Sequence, residues 1–316
     1  MSRNSSLKYC AFLLPLSCLG LFSCSKPVHL IASTYAYGTT WELHLYQGQQ
    51  SDVDEILSYI GETSRLFDLN NVLDKHGLYT LNQTGQVDAD PFLLEAISLS
   101  TRVKELSQGS YSITIGKLTS SWVEALEKGE VLPQESVDAL LEEAKATSLD
   151  IKGNIITKTG SGQIDLGSIG KGLCLNKIKA FLAAKGIQKY LINAGSSSYL
   201  LGESLSQDGT VKVNLEDAPG TYFYAKNVAI STSSISRQKY VIDGKTYSHI
   251  IDARNGSALS HHQSLTMVGE DAGFLDGLTT AFLSLEASDL PSLEAYEVKS
   301  ILVDAGEVVY ESQGLI

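Results

Sequence analysis

Two apolar periods recur along this 316-residue chain in an irregular order, and that order excludes most architectures. Strand-type alternation reads at residues 28–32 and 40–46, with Gly38 marking a turn between them. Helical spacing follows over 53–67, where Ile56, Ile60 and Leu66 recur with Tyr59. Residues 68–88 read as loop, with a short helix before Leu81-Asn82. Asp90-Pro91 opens a helix to Leu106, since proline fits a first helical turn and Gly109 can end one. A second proline-led helix reads over 132–146, a hairpin over 150–164, and a helix over 172–185 stopped by Gly186. Tyr190 to Asn193 reads as a buried strand and 198–251 as a series of short strands. A strand at 265–269, a helix of small residues at 273–285 and a hairpin around Ala305-Gly306 complete the pattern. A doubly wound sheet needs regular strand–helix alternation, and a solenoid needs a fixed repeat; this chain has neither. The expectation is an α+β fold of mixed sheets with packed helices, undivided by a linker.

Residues 1–23 stand apart. Arg3 and Lys8 precede an almost uncharged run from Tyr9 to Phe22. That run is too short to span a bilayer comfortably, which takes about 20 residues. Leu21-Phe22-Ser23-Cys24 then leads into polar Ser25-Lys26-Pro27, the pattern of a bacterial lipobox. The expectation is a signal peptide over 1–23, a lipidated Cys24 and one domain over 24–316. Leu16-Ser17-Cys18 is a second, less polar option, and a plain signal peptide or an uncleaved anchor is the blander reading. Cleavage before Cys24 leaves Cys174 as the other cysteine, so no disulfide framework or cysteine metal site is available. Cys174 reads as a small core residue. The net charge of −12 argues against nucleic-acid binding, which rests on phosphate neutralisation. It also gives no pull toward an anionic membrane, so acyl chains would have to supply the anchor.

Three segments carry candidate chemistry. In Gln163-Ile164-Asp165-Leu166-Gly167-Ser168-Ile169-Gly170-Lys171-Gly172 a strand is expected to deliver a carboxylate to small residues and a helix start. Free N–H groups there suit a phosphate, and Lys171 adds a point charge. The segment is neither a Walker A loop nor a dinucleotide fingerprint, and a tight turn explains it equally well. In Tyr247-Ser248-His249-Ile250-Ile251-Asp252-Ala253-Arg254-Asn255-Gly256 an imidazole at a strand end precedes an Asp-x-x-x-Gly turn. Histidine exchanges protons near neutral pH, although such a residue is more often structural. Asp276 and Thr280 stand four apart, hence on one helix face. A carboxylate with a hydroxyl is an oxygen set suited to magnesium, while alone it reads as a solvated surface pair.

Taken in order, these segments and two earlier ones resemble the ApbE-like FAD:protein FMN transferase family. Tyr37-Gly38-Thr39-Thr40-Trp41 resembles its opening Met-Gly-Thr strand, and Gly109-Ser110-Tyr111-Ser112-Ile113-Thr114 its Gly-aromatic-Asp-x-Thr segment, with Trp122 beyond. Asp165 to Gly172 resembles its Asp-Leu-Gly-x-x-x-Lys-Gly core, and Asn193-Ala194-Gly195 its Asn-Ala-Gly-Gly turn. His249-Ile250-Ile251-Asp252 with Arg254 and Gly256 resembles its His-Ile-Ile-Asp-Pro-Arg-Thr-Gly signature, and Asp276 with Thr280 its Asp-x-x-x-Thr pair. The chain departs from these patterns at Ser112, Asn176, Ser196, Ser197, Ser233-Ser234 and Ala253.

The resemblance implies a single T-fold-related domain that binds FAD and magnesium. It implies FAD contacts at Asp165, Lys171, Ile250 and Ile251, and a flavin or adenine pocket lined by Tyr37, Ser110, Tyr111 and Ser112, with Phe67 a further candidate. It implies a metal held by Ser168, Asp276 and Thr280, with Thr279 contributing, and His249 as the group that takes the attacking proton. The implied activity is transfer of FMN from FAD to a Ser or Thr hydroxyl of an exported flavoprotein, with release of AMP. A subunit of a sodium-pumping quinone reductase is the kind of acceptor implied, met by an enzyme lipid-anchored in the cell envelope and facing the periplasm. A magnesium-dependent FAD pyrophosphatase and a non-catalytic FAD-binding lipoprotein are the rival readings.

Overall fold

The first hairpin turns on two positive φ angles, 52° at Tyr37 and 71° at Gly38. It joins β1 (Leu30–Ala36) to β2 (Thr39–Leu45). The paired positive angles match the right-handed twist of two strands joined by a two-residue loop. The computed structural model describes residues 29–236, 238–259 and 262–315. The expected signal peptide and Cys24 lie outside the described residues.

After β2 come α1 (Gln50–Phe67), α2 (Leu78–Thr84), β3 (Gln86–Asp88) and α3 (Pro91–Leu106). The α3 N-cap is Asp90, whose carboxylate accepts the Phe92 N–H at 2.7 Å, ahead of Pro91. Next are α4 (Gly116–Glu127), α5 (Gln134–Lys145), β4 (Ser148–Lys152), β5 (Ile155–Thr159) and α6 (Gly170–Ala184). Then follow β6 (Tyr190–Ala194), β7 (Ser198–Leu201), β8 (Val211–Asn214), β9 (Tyr222–Ala225) and β10 (Val228–Ser234). β11 (Tyr240–Ile242), β12 (Lys245–Asp252), β13 (Ser257–Leu259) and β14 (Ser264–Gly269) lead to α7 (Ala272–Phe282). A 3₁₀ helix (Ala287–Tyr296) and the hairpin β15 (Lys299–Asp304) to β16 (Glu307–Glu311) end the described chain.

Eight strands form one antiparallel sheet in the order β1-β2-β6-β7-β10-β14-β15-β16. Its inner face buries Trp41, Leu43, Ala229 and Met267 against Ile60, Leu93, Leu173, Ile178 and Leu278 of the helices. Each such large side chain contributes about 1.5–3 kcal/mol on burial. On the outer face, Leu215 and Phe223 of the β8–β9 arm cover Leu201, Ile230, Val268, Ile301 and Val303. A third apolar cluster joins α4 and α5 to the small sheet β11-β12-β13 through Leu118, Val137, Leu141, Tyr247 and Ile251. There Trp122 stacks on Tyr247 at 5.9 Å and donates to the Gly256 carbonyl at 2.8 Å. Among the described residues no helix is long and apolar enough to cross a membrane. The α+β expectation is met by these mixed antiparallel sheets with packed helices.

Three local expectations need correction. Gln163 to Leu166 is not a strand of a sheet; it has one bridge, Gln163 to Ile115. The Asn82 side chain substitutes for a neighbouring strand, accepting from the Ile164 N–H and donating to its carbonyl, each at 2.8 Å. The β4–β5 hairpin therefore ends at Thr159 rather than Ile164. Residues 116–127 form α4, which the sequence reading omits because its Gly116 start and Thr119-Ser120-Ser121 run are weak helix formers. Its buried Leu118, Trp122 and Leu126 nevertheless recur four apart.

Candidate active site

One cavity of about 1000 Å³ opens where the start of α6, strands β10 and β12 and the β8–β9 arm converge. Asp276 sits at its base, 5 % exposed, on the first turns of α7. The Asp276 Oδ2 accepts the Gly172 N–H at 3.0 Å and lies 3.6 Å from the Lys171 ammonium. Its Oδ1 accepts the hydroxyls of Ser198 and Ser231, each at 3.2 Å. The buried charge is thus met by an ammonium and three hydrogen-bond donors, which is what retains a carboxylate in such surroundings.

The other expected residues arrange themselves around this centre. Thr280 lines the cavity, and its hydroxyl donates to the Asp276 carbonyl at 3.3 Å. Ser168 also lines it and donates to the Tyr111 hydroxyl at 3.0 Å. Burial pushes the Tyr111 phenol up to about 12, although the Ser168 hydrogen bond pulls the other way, so the ring is a neutral wall. Asp165 accepts the Gly167 N–H at 2.8 Å, an arrangement that turns the chain toward Ser168 and α6. Ser112 shares a hydrogen bond with Thr114 at 2.9 Å and faces the cavity. Ile250 and Ile251 both reach its wall, one from the main core and the other from the α4–α5 cluster.

His249 stands within β12, not at a strand end. Burial lowers its pKa below 6.5, and the nearby Lys171 charge lowers it further. The imidazole is therefore neutral at neutral pH. Among the described residues its buried Nδ1 has no hydrogen-bond partner. A neutral imidazole with an unengaged nitrogen at a cavity wall is a competent proton acceptor.

Two expected residues, Thr279 and Phe67, lie outside the cavity, and two that line it, Ser110 and Tyr37, engage their hydroxyls elsewhere or bury them. Thr279 is fully buried and absent from the cavity lining. Its hydroxyl accepts from Ser233 at 3.1 Å, because one residue along a helix turns the side chain about 100° from Thr280. Ser110 touches the cavity, but its hydroxyl donates to the Ala281 carbonyl at 2.8 Å and serves packing. The Tyr37 ring borders the cavity, yet its buried hydroxyl is turned into the core beside Thr63 and Cys174. Phe67 packs beneath it at 5.7 Å between ring centres and does not reach the cavity.

The structure also adds residues the sequence reading missed. Ser231 was findable, since alternation in β10 places it on the core face with Ser233, whereas Ser198 on β7 carried no such signal. The β8–β9 wall, from Val211 to Asp217, carried no signal, because only the tertiary fold lays that arm over the sheet.

The donor set also fits a magnesium ion. Among the described residues no group of three His, Cys, Asp or Glu side chains could hold a metal. A cation here would take the Asp276 carboxylate, the Thr280 and Ser168 hydroxyls, and oxygens from solvent or a bound phosphate. An all-oxygen shell completed by substrate is characteristic of magnesium.

Several known proteins resemble this chain along most of its length. A FAD:protein FMN transferase from Vibrio cholerae is 25% identical, covering 91% of this chain and 91% of that protein. One from Chlamydia pneumoniae is also 25% identical, covering 87% of this chain and 91% of its own length. Among solved structures, the flavin transferase ApbE from Vibrio cholerae superposes with a TM-score of 0.74 at 22% identity, over 91% of this chain and 97% of that one. The ApbE protein from Thermotoga maritima gives 0.77 at 21%, over 90% and 97%. The ApbE family model matches residues 37–306, which takes in every residue of the cavity, and the chain belongs to the ApbE family.

Proposed function

We propose that this protein is a magnesium-dependent FAD:protein FMN transferase, moving FMN from FAD to a Ser or Thr hydroxyl of another protein and releasing AMP. One observation carries the reading. A neutral histidine with an unengaged nitrogen and a lysine-paired buried carboxylate line the same large cavity at a helix N-terminus. The relatives named as FAD:protein FMN transferases support it.

The residues divide the work. Lys171 and the start of α6 suit the pyrophosphate, where positive charge and free N–H groups favour an anion. Asp276, Thr280 and Ser168 would hold magnesium, which when bound would offset negative charge on the pyrophosphate. The acceptor oxygen forms its bond to the FMN-side phosphorus as that phosphorus loses its bond to AMP, and AMP leaves. His249 takes the proton of the attacking hydroxyl at its unengaged nitrogen. Transfers of this kind depend mainly on positioning and electrostatics.

The compartment belongs to the same proposal. Arg3, the apolar run and Cys24 support an envelope lipoprotein facing the periplasm, which restricts the acceptor to exported flavoproteins. A subunit of a sodium-pumping quinone reductase is the acceptor class to try first. The purified protein should be incubated with FAD, magnesium and such an acceptor, then assayed for in-gel flavin fluorescence and for AMP. Fluorescent acceptor with AMP supports transfer. AMP without fluorescence would replace it with hydrolysis, and bound FAD with neither product would replace it with storage.

A further inference from the structure

Ser198 and Ser231 form a directly opposed pair on neighbouring strands β7 and β10, and each is 1 % exposed. They lie on the face of the sheet that packs α7. Position 229, two residues before Ser231 on the same face, is a fully buried alanine. A core face of this kind ordinarily continues with apolar residues, because an unpaired buried hydroxyl is destabilising. Here the face changes to serine at 231 and 233, where α7 presents Asp276, Thr279 and Thr280. Ser198 and Ser231 both donate to Asp276 Oδ1 at 3.2 Å, and Ser233 donates to Thr279 at 3.1 Å. The other carboxylate oxygen faces Gly172 and Lys171.

Resting on the function proposed above, we infer that Ser198 and Ser231 are positioning residues for the reaction. They fix the rotation of the Asp276 carboxylate, keeping Oδ2 aimed at the start of α6, where the pyrophosphate and its cation assemble. The pair acts through Asp276 and touches no substrate. Hydroxyls suit this task better than a lysine or arginine would, because they orient the carboxylate without neutralising it. The bonds are to a charged acceptor, a class about twice as strong as neutral ones. Two strands contribute one serine each, so the sheet itself sets the geometry.

The test reads magnesium-linked FAD binding and transfer together. Ser198→Ala and Ser231→Ala each remove one oxygen and leave the packing volume nearly unchanged. In the double variant, the magnesium concentration that half-saturates flavin fluorescence quenching should rise roughly tenfold, and kcat should fall roughly ten- to a hundredfold. FAD affinity without magnesium should stay close to wild type, while the thermal midpoint should fall, because Asp276 Oδ1 loses two donors. A purely structural role would also lower the midpoint but leave the magnesium dependence alone. The same serine changes are then made in an Asp276→Asn background. If the pair acts through Asp276, they should add nothing there, since coupled residues are non-additive. Unchanged magnesium dependence in the double variant, or full additivity with Asp276→Asn, overturns the inference. Wild-type FAD binding that ignores magnesium overturns both the inference and the metal reading, and is visible before any variant is made.

Discussion

The backbone N–H of Gly172 donates to the Oδ2 of Asp276 at 3.0 Å, so a carboxylate on one helix caps the start of another. The bond ties α6 to α7 where the two helices are tightly packed. A Cβ at Gly172 would overlap the Ala272 carbonyl oxygen and press on the Asp276 Cβ at 2.8 Å. The residue is glycine because no side chain fits between the helices, not because its φ is unusual. Asn176 reinforces the crossing, donating to Asp271 at 2.6 Å and accepting the Ala272 N–H at 2.8 Å.

Gly172→Ala should therefore damage both stability and site. Forcing a methyl against a carbonyl in a packed core costs about 1–3 kcal/mol. Chemical denaturation should show a loss of that size, with weaker FAD binding, because α7 must move and carry Asp276 with it. Unchanged stability would show that the helices can separate at no expense.

The pH dependence of transfer should report His249. Burial, and then the Lys171 charge, hold its pKa below 6.5 in the folded protein. The imidazole stays deprotonated, and able to accept a proton, until the pH falls through that lowered value. The acid limb of kcat/KM assigned to His249, which reports the free protein, should thus lie below pH 6.5. Unfolded chain takes up this proton near 6.5, so stability contributed by the neutral form is present above that pH and declines as pH falls further. His249→Ala should reduce transfer by about 10²–10⁴-fold with FAD binding largely kept. An acid limb above 6.5, or retained transfer in the variant, counts against the role.

Ser196 holds a φ of 58°, a left-handed conformation that costs a side-chain-bearing residue about 1–2 kcal/mol. Its N–H is fixed by the Asn193 side chain at 2.7 Å, so the turn persists despite the strain. Ser196→Gly relieves that strain but loosens the unfolded chain, which offsets about 0.5–1 kcal/mol. Thermal unfolding should therefore show a small net gain, about 0.5 kcal/mol.

Among the described residues the β8–β9 arm shares no strand hydrogen bonds with the large sheet, and Asp217 helps to latch it down. That carboxylate accepts from Ser234 at 2.6 Å, from Ser236 at 2.5 Å and from Gln263 at 3.2 Å. Burial alone would raise its pKa, but these hydrogen bonds outweigh it and hold the group below 3.8. The latch contributes stability above pH 3.8 and loses it as pH falls through the lower folded value. Asp217→Asn removes the charge and one of the two acceptor oxygens that Ser234, Ser236 and Gln263 share, which costs about 1–3 kcal/mol. Hydrogen exchange across Val211–Ala225 should accelerate. Because the arm walls the cavity, FAD affinity should fall as well.

Asn82→Ala removes both bonds that hold Ile164 in place of a strand neighbour. Stability should drop by about 1–3 kcal/mol, with FAD affinity reduced because Asp165 and Ser168 follow directly. Wild-type affinity in this variant would show that the segment is held by other means.

Much of this molecule was legible in its sequence. Local rules sufficed for the α3 cap at Asp90-Pro91, the tight turn at Gly38, the strand at Tyr190 and the shared helix face of Asp276 and Thr280. Each depends on neighbours within a few residues, where backbone sterics and helical period decide the outcome. The expected cluster of Asp165, Ser168, Lys171, His249, Asp276 and Thr280 does line one cavity. The rest depended on partners far along the chain. Asn82 completes residue 164, Ser198 and Ser231 orient Asp276, and the β8–β9 arm closes a wall over the sheet. The Tyr37 hydroxyl turned into the core and Thr279 turned toward β10, because packing rather than motif fixes where a side chain ends. Sequence determined which elements form and which groups carry charge. Tertiary structure alone decided which of those groups meet, since buried hydrogen bonds and close helix crossings bind residues that no local pattern connects.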